Sequence, residues 1–113
     1  MTERAWHWDL TPERWRTFSI HEQLGNVGTE VDRAIRAHRS GDIARRDHAI
    51  DRALELIDLT ATDERWRGNR RKEILRTREY FCRVFLDPTV ESDAGEYLRK
   101  YFMYFALVAR HDR

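Results

Sequence analysis

The sequence predicts an all-α protein, an up-and-down four-helix bundle with a short Trp-rich N-terminal segment packed on it, and three observations carry that prediction. Only two prolines and five glycines interrupt 113 residues. No alternating run of Val, Ile and Thr, such as a half-buried strand needs, occurs anywhere. Apolar residues instead recur at steps of three and four, the period of one helical face. A chain of this length closes one core and not two, so residues 1–113 form one domain. Charged residues reach 36%, but the 12% that are aromatic supply more apolar area than a disordered chain carries.

In chain order, residues 1–18 form the aromatic lead, in which Trp6, Trp8, Leu10, Trp15 and Phe18 are too numerous to leave in water and are expected to cover the bundle as a lid. Within it, Thr11-Pro12-Glu13 combines an N-cap, a proline at the first helical position and an acidic first turn, which predicts one short helical turn. The four helices occupy residues 19–113. The first starts at Ser19, because Ser19-Ile20-His21-Glu22 has capping-box spacing, and ends at Gly41; Ile20, Leu24, Val27, Val31 and Ile35 make its core stripe. Gly25 and Gly28 beside that stripe each cost about 1 kcal/mol of helix propensity, so they mark the close approach of another helix.

The second helix runs from Asp42, as its cap, to about residue 59 or 60. It carries Ile43, Ala49, Ile50, Ala53, Leu54, Ile57 and Ala61 toward the core. A short turn with capping chemistry at Thr60, Thr62 and Asp63 leads to an antiparallel third helix. That helix covers residues 63–86, with Trp66, Ile74, Phe81, Val84 and Phe85 on one face, and stops at Asp87-Pro88. Asp93 caps the fourth, whose core face reads Tyr97, Leu98, Tyr101, Phe102, Phe105, Val108 and Ala109. Met103, Ala106 and Leu107 make its other side apolar too, and Leu75, Cys82 and Leu86 do the same for the third helix. A bundle this small cannot cover both second faces, which predicts a homo-oligomer.

Composition also bounds location. The one cysteine, Cys82, has no intrachain partner, which fits a reducing compartment. No apolar run approaches the roughly 20 residues of a membrane span, and the N-terminus lacks a secretory h-region, so a cytoplasmic protein without membrane contact is expected.

The strongest charge asymmetry lies between residues 65 and 78, where seven bases meet the single acid Glu73. On one continuous helix, Arg65, Lys72, Arg76 and Arg83 would line one flank of the core stripe, and Arg67, Arg71 and Arg78 the other. Arg65, Arg67, Arg71, Lys72, Arg76 and Arg78 are therefore the candidate contacts to RNA or DNA phosphates. The competing reading pairs them with acids of adjacent helices, since the chain holds 20 acids against 21 bases. Arginine supplies 19 of those bases, Lys72 and Lys100 being the only lysines, which favours bidentate contact with carboxylate or phosphate.

Enzyme templates find little. Arg33 and His38 reproduce the Arg-x4-His spacing of the HEPN ribonucleases, but Arg16 and His21 do so equally. Carboxylates fall on all four helices, yet no glutamate is followed three residues later by histidine, as a di-iron bundle requires. No phosphate-binding glycine loop is present, so no cofactor or metal is expected and no catalytic residue is assigned. Asn26, Glu30 and Asp58 sit inside apolar runs, and if buried they need partners, with arginines such as Arg76 or Arg78 the natural ones.

Three segments carry a resemblance: Glu22-Gln23-Leu24-Gly25-Asn26-Val27-Gly28-Thr29-Glu30-Val31, Arg52-Ala53-Leu54-Glu55-Leu56-Ile57-Asp58-Leu59-Thr60, and Lys72-Glu73-Ile74-Leu75-Arg76 with Arg78-Glu79. They resemble a group of short bacterial and archaeal helical proteins of unassigned function, which also end in an aromatic segment like that from Tyr101 to Arg110. More remotely, the layout is similar to the four-helix-bundle proteins encoded in intervening sequences of 23S ribosomal RNA genes and to the accessory variability proteins of diversity-generating retroelements. That similarity implies a ring-like oligomer and contact with nucleic acid through basic surfaces. The function expected is thus a non-enzymatic, oligomeric binding or scaffold protein that touches RNA or DNA through its basic third helix. The alternatives are a HEPN-like metal-independent ribonuclease and a protein-binding partner of a neighbouring gene product.

Overall fold

Five helices and no strand make up the described part of the chain, residues 11–87 and 93–111 of a computed structural model. Helix α1 is one turn, Pro12–Trp15, capped by the Thr11 side chain, which accepts from the Arg14 N–H. Helix α2, Ile20–Ser40, begins in the capping box read from the sequence: Ser19 Oγ accepts from the Glu22 N–H and Glu22 Oε1 from the Ser19 N–H. It ends at Gly41, whose φ of 77° is the left-handed conformation that releases a helix C-terminus. Helix α3, Ile43–Ala61, is capped by Asp42, whose side chain accepts from the Arg45 N–H.

The third long helix departs from the sequence reading. Instead of one helix over 63–86, Asp63 caps a 3-10 turn at Glu64–Trp66, Gly68 breaks the path at φ 95°, and α4 spans Asn69–Leu86. A left-handed residue cannot continue a right-handed helix, so Arg65 and Arg67 lie before α4 and not on it. Helix α5, Ala94–His111, begins at Asp93, whose carbonyl accepts from the N–H groups of Glu96 and Tyr97.

Helix α2 is central. The whole predicted stripe of Ile20, Leu24, Val27, Val31 and Ile35 is buried, joined by Ala53, Leu56 and Ile57 of α3, Ile74 and Phe81 of α4, and Leu98, Phe102 and Phe105 of α5. Gly25 and Gly28 do mark a close approach: a Cβ on Gly28 would stand 2.6 Å from the Cβ of Phe102, and one on Gly25 3.0 Å from the Cα of Ala106. Those pairs, with Gly95 beside Ile35, run α5 antiparallel to α2. Ion pairs fix the register, since Arg99 bridges Asp32 at 2.6 Å and Glu96 at 3.2 Å while Arg39 reaches Glu96 at 3.3 Å. Across the other contacts, Arg78 of α4 meets Asp58 of α3 at 2.8 Å, and Tyr80 of α4 stands edge-on to Tyr97 of α5 with ring centres 5.5 Å apart.

Of the aromatic lead, Trp15 is fully buried and donates from Nε1 to Thr60 Oγ1 at 3.0 Å, which seats α1 on the end of α3. Trp6, Trp8 and Leu10 fall outside the described residues. On α3, Ile43 and Leu56 reverse their expected places: Ile43 is half exposed, and Leu56, absent from the predicted stripe, is buried. Among the described residues no helix is long and apolar enough to cross a membrane.

Candidate nucleic-acid interface

The six bases proposed from sequence divide into two groups. Arg65 belongs to a buried polar network centred on Asp63, donating from Nη2 to Asp63 Oδ2 at 2.7 Å and to the Phe18 carbonyl at 2.8 Å, with its guanidinium 4.5 Å from the centre of the Trp66 ring. Gln23, buried on α2, completes that network. Its Nε2 donates to the Trp15 carbonyl at 2.9 Å and to Asp63 Oδ2 at 3.2 Å, and its Oε1 accepts from Trp66 Nε1 at 2.8 Å. Arg71 donates to the Asp63 carbonyl at 3.2 Å and approaches Glu64 at 3.9 Å, Arg67 meets Glu64 at 3.4 Å, and Arg78 is taken by Asp58. These four arginines answer to acids of the protein itself, as the competing reading holds.

Lys72 and Arg76 do not. Among the described residues neither has a carboxylate within ion-pairing distance, and the same is true of Arg83. All three are exposed on α4, and with Tyr80 they form a row at steps of four, four and three, one helical face. Against that row α4 and α5 enclose a groove of about 420 Å³ lined by Glu73, Arg76, Thr77, Tyr80, Tyr97 and Tyr101. Tyr97 is 60% exposed and Tyr104, one turn past Tyr101 on α5, is 58% exposed. Exposed Lys100 lies between them in sequence. At the base of the groove the Tyr101 hydroxyl donates to Glu73 Oε2 at 3.1 Å, and burial pushes this phenol above its ordinary pKa, so it keeps that proton.

Tyr97 corrects the sequence reading, which turned it toward the core. The structure buries Leu98, Phe102 and Phe105 of α5 and leaves Tyr97, Tyr101 and Tyr104 on the flank toward α4. The 4-3 spacing of those tyrosines was the available signal. Chemically the groove offers π faces between unpaired cations, the two contacts that a single-stranded nucleic acid uses.

The other sequence candidates are not brought together. Arg33 and His38, five residues apart on the uninterrupted α2, are rotated by about 140° about its axis. Arg33 is engaged with Glu30 at 2.8 Å, and His38 lies edge-on to Phe85 and 3.3 Å from Arg46 Nη1. Arg16 is an exposed turn residue, whereas His21 packs near the Phe105 ring. Asp58 finds Arg78 as anticipated, Glu30 finds Arg33 instead, and Asn26 is exposed and donates to the Glu22 carbonyl. Among the described residues no group of three or more His, Cys, Asp or Glu side chains is placed to hold a metal ion. Comparison with protein-family models, curated proteins and solved structures found no match.

Proposed function

We propose that this chain is a non-enzymatic binding module whose α4–α5 groove takes single-stranded RNA or DNA. The supporting observation is the row of Lys72, Arg76 and Arg83, cations without an acid partner among the described residues, beside exposed tyrosines. Phosphates would lie along the cations while bases stack on Tyr97 and Tyr104. Stacking on an aromatic side chain is worth about 1–3 kcal/mol per base and tolerates any sequence. In this reading helices α2 to α5 make an up-and-down bundle that holds the groove rigid. Copies of the chain associate through Leu75 and Leu86 of α4 and Met103 and Leu107 of α5, with Leu86 left 77% exposed in the lone chain.

Fluorescence anisotropy with a labelled oligonucleotide of about 12 nucleotides tests the groove. Neutralising three phosphates gives a slope of log K against log[salt] of about −2, from roughly −0.7 per phosphate on a single strand. Lys72→Glu with Arg76→Glu flattens that slope, and Tyr97→Ala weakens binding about tenfold with the slope unchanged. Arg67→Glu, which lies before α4 and outside the groove lining, leaves both nearly as they were. Absence of binding at low salt, or equal loss in the Arg67 and Arg76 variants, removes this function.

A further inference from the structure

The groove between α4 and α5 has a floor and a rim of opposite chemistry. Glu73 and Thr77, one turn apart on α4, form the floor with Tyr101, which reaches across from α5. Both hydroxyl protons of that floor are committed inward: Thr77 Oγ1 donates to the Glu73 carbonyl at 2.9 Å and the Tyr101 hydroxyl to Glu73 Oε2 at 3.1 Å. Arg70 Nη1 donates to Glu73 Oε1 at 3.1 Å. What is left for an incoming group is lone pairs. A carboxylate has about four acceptor positions, of which these bonds fill two, and the Thr77 and Tyr101 oxygens can still accept. Glu73 lines the groove with its side chain 43% exposed, so a ligand lying there meets it.

The rim is the reverse. Arg76 lines the groove, Lys72 precedes it by one turn, and both are donors only, without an acid partner among the described residues. A single strand is thereby oriented. Lys72 and Arg76 attract phosphates and the Glu73 carboxylate repels them, so the backbone keeps to the rim and a base turns inward. A base meets an acceptor-only floor through its N–H groups. Cytosine, adenine and guanine each carry an exocyclic amino group, whereas uracil and thymine place the acceptor O4 where cytosine has its N4 amino group. The one N–H of uracil lies between two carbonyl oxygens, which the carboxylate would repel.

On the reading of this groove as a single-strand site, we propose that its floor selects the base: Glu73 accepts from an exocyclic amino group, with Thr77 Oγ1 and Tyr101 Oη beside it as further acceptors, and amino-bearing bases are preferred to uracil and thymine. Stacking on Tyr97 and Tyr104 supplies affinity for any sequence, and Glu73 adds the discrimination.

The test is fluorescence anisotropy of the full chain at neutral pH and low salt with three labelled oligoribonucleotides of about 12 residues. One is all cytosine, one all uracil, and one carries pyrimidin-2-one, which is cytosine with hydrogen in place of the amino group. The three share ring size and backbone charge, so the ranking reports the group at position 4. Oligo-cytosine should bind about tenfold tighter than oligo-uracil, the worth of one charge-assisted hydrogen bond, with the pyrimidin-2-one oligomer close to oligo-uracil. Glu73→Gln should bring the cytosine-to-uracil ratio close to one, because a carboxamide can also donate to O4; should that variant not fold, the three-oligomer ranking still decides. Equal binding of cytosine and uracil with the salt dependence intact overturns base selection and leaves the groove as a site for any single strand. Pyrimidin-2-one binding as tightly as cytosine, or an unchanged ratio in a folded Glu73→Gln, overturns it as well. No binding of any of the three removes the groove function, and base selection with it.

Discussion

Replacing Asp63 by Asn should destabilise the protein by an amount that disappears in acid. Asp63 is 1% exposed, and its carboxylate accepts from the Arg65 side chain, from the Arg65 N–H at 3.0 Å and from Gln23. The Arg65 side-chain bond, the largest cause, prevails over burial and, with the backbone and Gln23 bonds, holds the carboxyl at about 2 against an ordinary value of 3.8. That gap corresponds to about 2.4 kcal/mol at neutral pH, and to a loss of about 10 °C in Tm for a chain of this size. The sign follows from the depressed value: the stabilisation is fully present above pH 3.8 and is lost as pH falls through 2, with about 1.3 kcal/mol remaining at pH 3. Asn conserves the volume and one acceptor, so it isolates the charge. Urea unfolding of both proteins from pH 7 to pH 2.5, followed by circular dichroism at 222 nm, should show the two midpoints converging as the acid limit is approached. A gap that stays constant over that range would refute the claim that the carboxylate charge, and not the shape of the site, ties α2 to the start of the third helical segment.

Two further substitutions test the packing and the caps. Gly28→Ala gains about 1 kcal/mol of helix propensity but sets its Cβ 2.6 Å from that of Phe102, so overpacking of about 1–3 kcal/mol should prevail and thermal melting should show a lowered Tm; a raised Tm means α5 yields freely at this crossing. Ser19→Ala removes one half of the α2 capping box and should cost about 1 kcal/mol in urea unfolding, an effect that vanishes if the helix simply begins one turn later.

The helices were legible wherever one local interaction decides the outcome. Ser19 with Glu22, Asp42 and Gly41 each act through bonds within one turn, and the α2 stripe is fixed by period alone because α2 is packed on several sides. Local reading failed where two tendencies compete. Ile43 has the right apolar character for the core, but it sits in the first turn of α3, where the helix end projects into water; Leu56, deeper along the same helix, takes the buried place. The expected helix over residues 63–86 runs through Gly68, yet Asp63 caps the turn at residues 64–66 and draws Arg65 and Arg71 back to itself, so the chain exits its first turn before α4 begins.

The same Asp63 explains why the basic run misled in part. Charge counted along a sequence treats each cation as available, whereas availability is set by which acid lies across the neighbouring helix. Asp58 and Asp63 belong to α3 and its exit, so their carboxylates capture Arg78 and Arg65, while Arg71 is held by the Asp63 backbone carbonyl. Lys72, Arg76 and Arg83 are exposed on α4 and have no ion-pair partner among the described residues. A basic cleft between α2 and α3 was hidden by the opposite effect. Between residues 32 and 52 six arginines are interleaved with Asp32, Asp42, Asp47 and Asp51, so the excess of base is far smaller than between residues 65 and 78, and only the fold separates the flank that collects Arg33, Arg45, His48 and Arg52 from most of the acids beside them in sequence. An exposed carboxylate that merely neighbours an arginine, as Asp42 does Arg45, screens it weakly, whereas the buried Glu30 holds Arg33 at 2.8 Å; burial, invisible to charge counting, decides how firmly an acid occupies its base.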